Sequence, residues 1–194
     1  MGAGEEDNAE TLPGSCDYSV RNWGKAIRTA AVAEQQLADL LWESGEFIQV
    51  SLWGQSQLSD KDRKALRLTS ALLRWAPDVI GITSEHDVML FDAKSTTKQN
   101  KDSPNVAVEA RAVDALGCHD MLVSSALFVF DNHYQATAEL VKAEGVKRDG
   151  SSNGSGTPFY LVSKDALDPF WVGKTDMWAL HQKMTNSEKW SGLS

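Results

Sequence analysis

Apolar positions in residues 23–44 recur every three or four places. Ile27, Ala30, Ala31, Leu37, Ala38 and Leu41 fall on one face, the period of an amphipathic helix laid on a core. Glu34 falls on that same stripe, and Gly45 is a natural stop. The period then changes. Glu46–Trp53 (EFIQVSLW) reads as a strand. Ser59-Asp60-Lys61-Asp62 has the form of a capping box and predicts a second helix to about Trp75, ended by Pro77. Asp78–Thr83 (DVIGIT) and Asp87–Ser95 (DVMLFDAKS), joined by Ser84-Glu85-His86, predict a β-hairpin. Both strands are apolar on both faces, which places them centrally in a covered sheet.

Beyond a polar loop at 96–103, Ser103 as cap and Pro104 as first residue predict a helix ending near Gly117. Met121–Phe130 reads as a buried strand, His133–Glu144 as a helix, Phe159–Val162 as a short strand and Asp165–Met184 as a last amphipathic helix, with Trp171 and Trp178 one above the other as core packing. Asp149–Thr157 (DGSSNGSGT) has the composition of a flexible loop. The order predicts an α/β (α+β) fold, three layers built around a mixed central β-sheet flanked by helices. Residues 1–20 read as a flexible acidic tail, 21–194 as a single domain, and 59–75 as a helical insertion in it.

Composition narrows the function. The 194 residues carry a net charge of −8, which argues against a generic nucleic-acid coat. Half of that excess lies in residues 1–22, with five acids against Arg21. Cys16 and Cys118 are too far apart for a metal knuckle and suggest free thiols in a reducing, cytoplasmic setting. No apolar run is long enough to span a bilayer, so no membrane partner is expected. His86, His119, His133 and His181 show no ligand spacing, and no phosphate-binding glycine loop is present.

Candidate chemistry gathers on the hairpin. Alternation puts Asp92 and Lys94 on one face of their strand, and Asp78 opens the partner strand. If Asp78 and Asp92 meet, two carboxylates and an ammonium converge at one end of a buried sheet. Two such carboxylates repel unless a cation sits between them. Mg²⁺ suits the place, because it takes oxygen ligands from one or two carboxylates and shares its shell with a phosphate. Glu34, in mid-stripe on the first helix, also needs a partner, either such a cation or a core-facing Arg or Lys.

Pro77-Asp78, 13 residues and then Asp92-Ala93-Lys94 resembles the motif of the PD-(D/E)xK nuclease superfamily, with Asp in the (D/E) place. The order of elements across residues 23–131 is similar as well. The resemblance implies a restriction-endonuclease-like core and Mg²⁺- or Mn²⁺-dependent hydrolysis of phosphodiester bonds, DNA before RNA. It implies Asp78, Asp92 and Glu34 as metal ligands and Lys94 as the catalytic lysine. Glu109, on the apolar side of its expected helix, is a candidate supporting group. Lys98 and Lys101, just past the motif, are expected to contact the strand. Arg63, Arg67 and Arg74 form either a phosphate-tracking stripe or a solvated face paired with Asp60 and Asp62. An RNA endonuclease of the same superfamily and a non-catalytic docking module are the alternatives. A protein partner or a homodimer, and a phage or mobile-element origin, fit the same reading.

Overall fold

The computed structural model of the chain describes residues 20–66, 68–95, 103–150 and 156–172. Helix α1 (Val20–Glu43) leads into strand β1 (Phe47–Leu52), and the β2 (Val79–Thr83) and β3 (Val88–Lys94) hairpin follows the expected pattern. Further on come β4 (Asn105–Glu109), α4 (Ala110–Asp120), β5 (Ser125–Phe130) and β6 (Tyr134–Ala136). The last described elements are α5 (Ala138–Glu144), β7 (Val146–Arg148), β8 (Phe159–Ser163) and the two-residue β9 (Asp168–Pro169). One six-stranded sheet runs in the order β1-β2-β3-β5-β6-β9, and a second sheet runs β4-β8-β7. The β3–β5 pair is parallel and the other pairs are antiparallel. The fold is a mixed α/β arrangement, a mixed sheet flanked by helices.

Alternation along the central strands explains the layering. Met89, Phe91, Leu127 and Val129 point to one face, where Leu37, Ala38 and Leu41 of α1 and Phe170, Trp171 and Val172 cover them. Leu90, Ala126, Phe128 and Phe130 point to the other, under Val113 and Leu116 of α4, Val141 of α5 and Val106, Val108 and Val162 of the second sheet. Strand β5 is buried along its whole length, as a central strand with two covered faces must be.

Four expectations are corrected. The single helix over 59–75 is two short pieces, α2 (Asp60–Leu66) and α3 (Ala71–Arg74). Leu68 between them is 90% exposed, so no apolar stripe holds the pieces together, and Thr69 Oγ1 turns back to donate to the Leu66 carbonyl at 2.6 Å. The helix expected from Ser103 begins only at Ala110. Residues 105–109 are β4, with Val106 and Val108 buried and Ala107 and Glu109 exposed, a period of two that β8 pairs. The helix expected from His133 is preceded by β6, and Thr137 Oγ1 caps α5 by accepting the Leu140 N–H at 3.1 Å. The last helix does not start at Asp165. Lys164–Ala166 is one 3-10 turn, β9 follows, and Trp171 is fully buried against α1 and β1 rather than lying on a helix. Trp178, the loop lysines Lys98 and Lys101, Arg67 and residues 1–19 lie outside the described residues. Among the described residues no helix is long and apolar enough to cross a membrane.

Candidate active site

The hairpin register brings the motif together. Val79 pairs with Phe91 and Ile80 with Leu90, and one more step sets Asp78 opposite Asp92. Directly opposed residues on one face have Cβ atoms only about 5 Å apart. The Asp78 N–H donates to the Phe91 carbonyl at 2.9 Å, and Asp78 Oδ2 accepts the Ala93 N–H at 2.9 Å. The Asp78 carbonyl accepts the N–H groups of Trp53 at 2.7 Å and Gly54 at 3.0 Å. One residue thus ties the end of β1 to the end of β3.

Asp92 is buried and forms an ion pair with Lys94 Nζ, which also lies 5.6 Å above the centre of the Phe128 ring. Glu34 arrives from α1, 4% exposed, and accepts a hydrogen bond from Ser56 Oγ. Glu34, Asp78, Asp92 and Lys94 line one cavity of about 250 Å³, with Arg63, Arg74 and Trp75 also in its wall. Arg63 Nη1 donates to the Gln55 carbonyl at 3.2 Å, and the Gln55 amide donates to the Arg74 carbonyl, so these groups are bound into the wall. Because α2 and α3 are separate, Arg63 and Arg74 do not share one helix face.

Sequence reasoning missed two residues. A methyl group on Gly54 would stand 2.6 Å from Asp78 Oδ1 and 2.7 Å from Glu34 Oε2. The φ of Gly54 is −66°, open to any residue, so space and not torsion requires glycine here. Ser56, two places on, holds Glu34. The sequence offered only a Gly and a Ser after a strand, which reads as an ordinary turn.

The electrostatics follow from the crowding. Burial raises the Asp78 carboxyl well above its ordinary value, and the charges of Asp92 and Glu34 raise it further, against Lys94 and the Ala93 N–H. Burial also raises Glu34, with Asp92 adding and the Ser56 hydroxyl opposing. Burial pulls Lys94 down, but Asp92 and Asp78 outweigh it and hold the ammonium above its usual range. Glu109 is not on a helix face. It is the exposed residue where β4 turns into α4, and its carboxyl is raised by partial desolvation against the pull of Lys94 and Arg111.

Among the described residues no three His, Cys, Asp or Glu side chains form a ready-made metal cage. Two carboxylate oxygens, Asp78 Oδ1 and Glu34 Oε2, do crowd the same point beside Gly54. An oxygen-only donor set of this kind, desolvated and self-repelling, fits a hard divalent ion that takes one or two protein carboxylates and keeps its remaining shell for water and phosphate.

No family model and no curated protein matches the chain. Among solved structures, a nuclease from a fusselovirus is similar to it at 12% identity and a TM-score of 0.44, over 90% of this chain and 98% of that one. A likeness at that level carries no argument about what this chain does.

Proposed function

We propose that the chain is a Mg²⁺- or Mn²⁺-dependent nuclease of the PD-(D/E)xK type, acting on DNA in preference to RNA. The observation that carries the reading is the convergence of Glu34, Asp78, Asp92 and Lys94 in one cavity at the end of the β2–β3 hairpin. Asp78, Asp92 and Glu34 would hold the cation, which supplies Lewis acidity and an acidified water. Lys94, paired with Asp92 at the cavity wall, would donate to a phosphate oxygen and orient the attacking water. Asp78, fixed by the Ala93 N–H, aims its second oxygen toward Glu34. Arg63 and Arg74 in the cavity wall would add positive charge near a bound phosphate.

The test is cleavage of plasmid, linear duplex, single-stranded DNA and RNA with Mn²⁺ or Mg²⁺, beside Lys94→Ala and Asp92→Asn. Cleavage that needs metal and disappears in both variants is expected, with DNA cut faster than RNA. Activity that survives both substitutions overturns the assignment. Metal-dependent cleavage of RNA alone selects the ribonuclease reading.

A further inference from the structure

Among the described residues each sheet has two outer strands, and three of these four edges are blunted. Strand β9 is two residues long, and one of them is Pro169. Strand β7 carries Lys147 and Arg148, and β4 ends on Glu109. Short length, proline and charge are the usual means of keeping an edge strand from pairing with another chain. Strand β1 is the exception. It is six residues long (FIQVSL), with β2 on one side and, among the described residues, no strand on the other. Its one irregularity is a register shift between Phe47 and Gln49, and Gln49–Leu52 runs in regular antiparallel register against β2.

The edge also differs in composition from the rest of the chain. Residues 47–59 hold no Asp, Glu, Lys or Arg, in a protein of which 24% of residues are charged. Ile48 and Trp53, and Trp42 in the last turn of α1, are each more than half exposed. The outer side of such a strand offers backbone N–H and C=O groups that fit another extended strand. An uncharged edge bordered by aromatic and aliphatic groups also lets two molecules of net charge −8 meet without opposing like charges. The sequence of β1 suits its own copy. Gln49 and Ser51 lie on one face of the strand, where their side chains meet at 3.4 Å, and Val50 lies on the other, against the core. Antiparallel pairing about a two-fold axis at Val50 sets Val50 against Val50 and Gln49 against Ser51 twice. Apolar then meets apolar, and amide meets hydroxyl.

We propose that β1 is a dimer interface, which pairs with β1 of a second copy of the chain to make one continuous sheet. Gly54 lies four places beyond Val50, so the two copies of Gly54 would stand roughly 26 Å apart along the strands. Because the axis is perpendicular to the sheet, the two candidate active sites would lie on the same side of it. The pairing is independent of whether the chain is a nuclease.

Sedimentation equilibrium of the full chain tests it, beside two double variants. Wild type is expected to be dimeric at about 100 µM. Gln49→Lys with Ser51→Lys opposes lysine to lysine twice across the axis and is expected to weaken the dimer about tenfold. Gln49→Lys with Ser51→Glu opposes lysine to glutamate at the same positions and is expected to restore it. Both variants place charge at the same two sites, so thermal melts separate a shared folding defect from lost pairing. A monomeric wild type overturns the proposal, whether the edge is left to water or covered by residues 173–194. So does a lysine–lysine variant that dimerises like wild type, since the interface then lies elsewhere. A lysine–glutamate variant that melts like wild type yet is as monomeric as the lysine–lysine variant overturns it too.

Discussion

The β2–β3 hairpin carries acidic groups at both ends, and the two ends handle them in opposite ways. At the turn, Asp87 Oδ1 accepts the Ser124 hydroxyl at 2.9 Å, and the Asp87 N–H donates to Thr83 Oγ1 at 3.1 Å. One neutral donor, the Ser124 hydroxyl, serves the Asp87 carboxylate there. At the open end Asp78 and Asp92 face each other, Glu34 is brought in from a distant helix, and burial raises Asp78 and Glu34. Folding alone favours the first arrangement. A protein that gathers like charges against their own repulsion has a use for them other than stability.

The contrast can be broken most sharply at Lys94. Under the proposed function, Lys94→Ala is expected to lower metal-dependent cleavage by about a thousandfold, the scale of losing one charge-stabilising donor. A quantitative single-turnover assay reads it, and a loss under tenfold would make Lys94 a structural cation. Next in size is Gly54→Ala. Its methyl has no room between two carboxylates, so about 1–3 kcal/mol of stability is expected to go, and with it the rise in melting temperature that Mn²⁺ is expected to give wild type under the proposed function. Thermal melts with and without Mn²⁺ check this. A variant that keeps the full Mn²⁺ shift would mean the two oxygens need not approach each other.

Asp78→Asn sharpens the comparison from the other side. Burial first and Asp92 second raise the Asp78 carboxyl, so between its ordinary and its raised value the native state binds more protons than the unfolded chain. Stability is then fully present in acid and is lost as pH rises through that window. The metal-free asparagine variant is expected to melt a few degrees above wild type at neutral pH and level with it in acid. A lower melting point at neutral pH would show that the ionised carboxylate stabilises the fold. The smallest effect belongs to the turn. Asp87→Ala is expected to cost about 1 kcal/mol in urea unfolding and leave cleavage unchanged.

The hairpin and α1 were legible because each element carries its own period. Both faces of β2 and β3 are apolar, and the Pro77-Asp78 and Asp92-Ala93-Lys94 spacing follows from hairpin geometry. Residues 103–109 misled because Val106, Ala110 and Val113 fit a helix while Val106 and Val108 fit a strand. The partner that decides, β8, lies some fifty residues away in the chain. Trp171 carries no local sign that it fills the space beneath α1. Gly54 and Ser56 were invisible for a related reason. Their roles are contacts with Glu34 and Asp78, and a contact between distant segments has no period. Glu34, by contrast, was conspicuous as a charge in an apolar stripe, although its donor could not be read.

The topology also sets an order of assembly. Asp78 and Asp92 are joined by one hairpin, a local pairing, whereas β3 and β5 must enclose β4 and α4 before they pair. Local contacts form early and long loops close late. The two motif carboxylates therefore meet while the chain is still open to water, which screens them. Glu34 completes the group only when α1 docks and water leaves. A penalty that falls after the rate-limiting step hastens unfolding and leaves the speed of folding almost untouched, so Asp78→Asn is expected to slow unfolding far more than it changes folding, which stopped-flow kinetics would read.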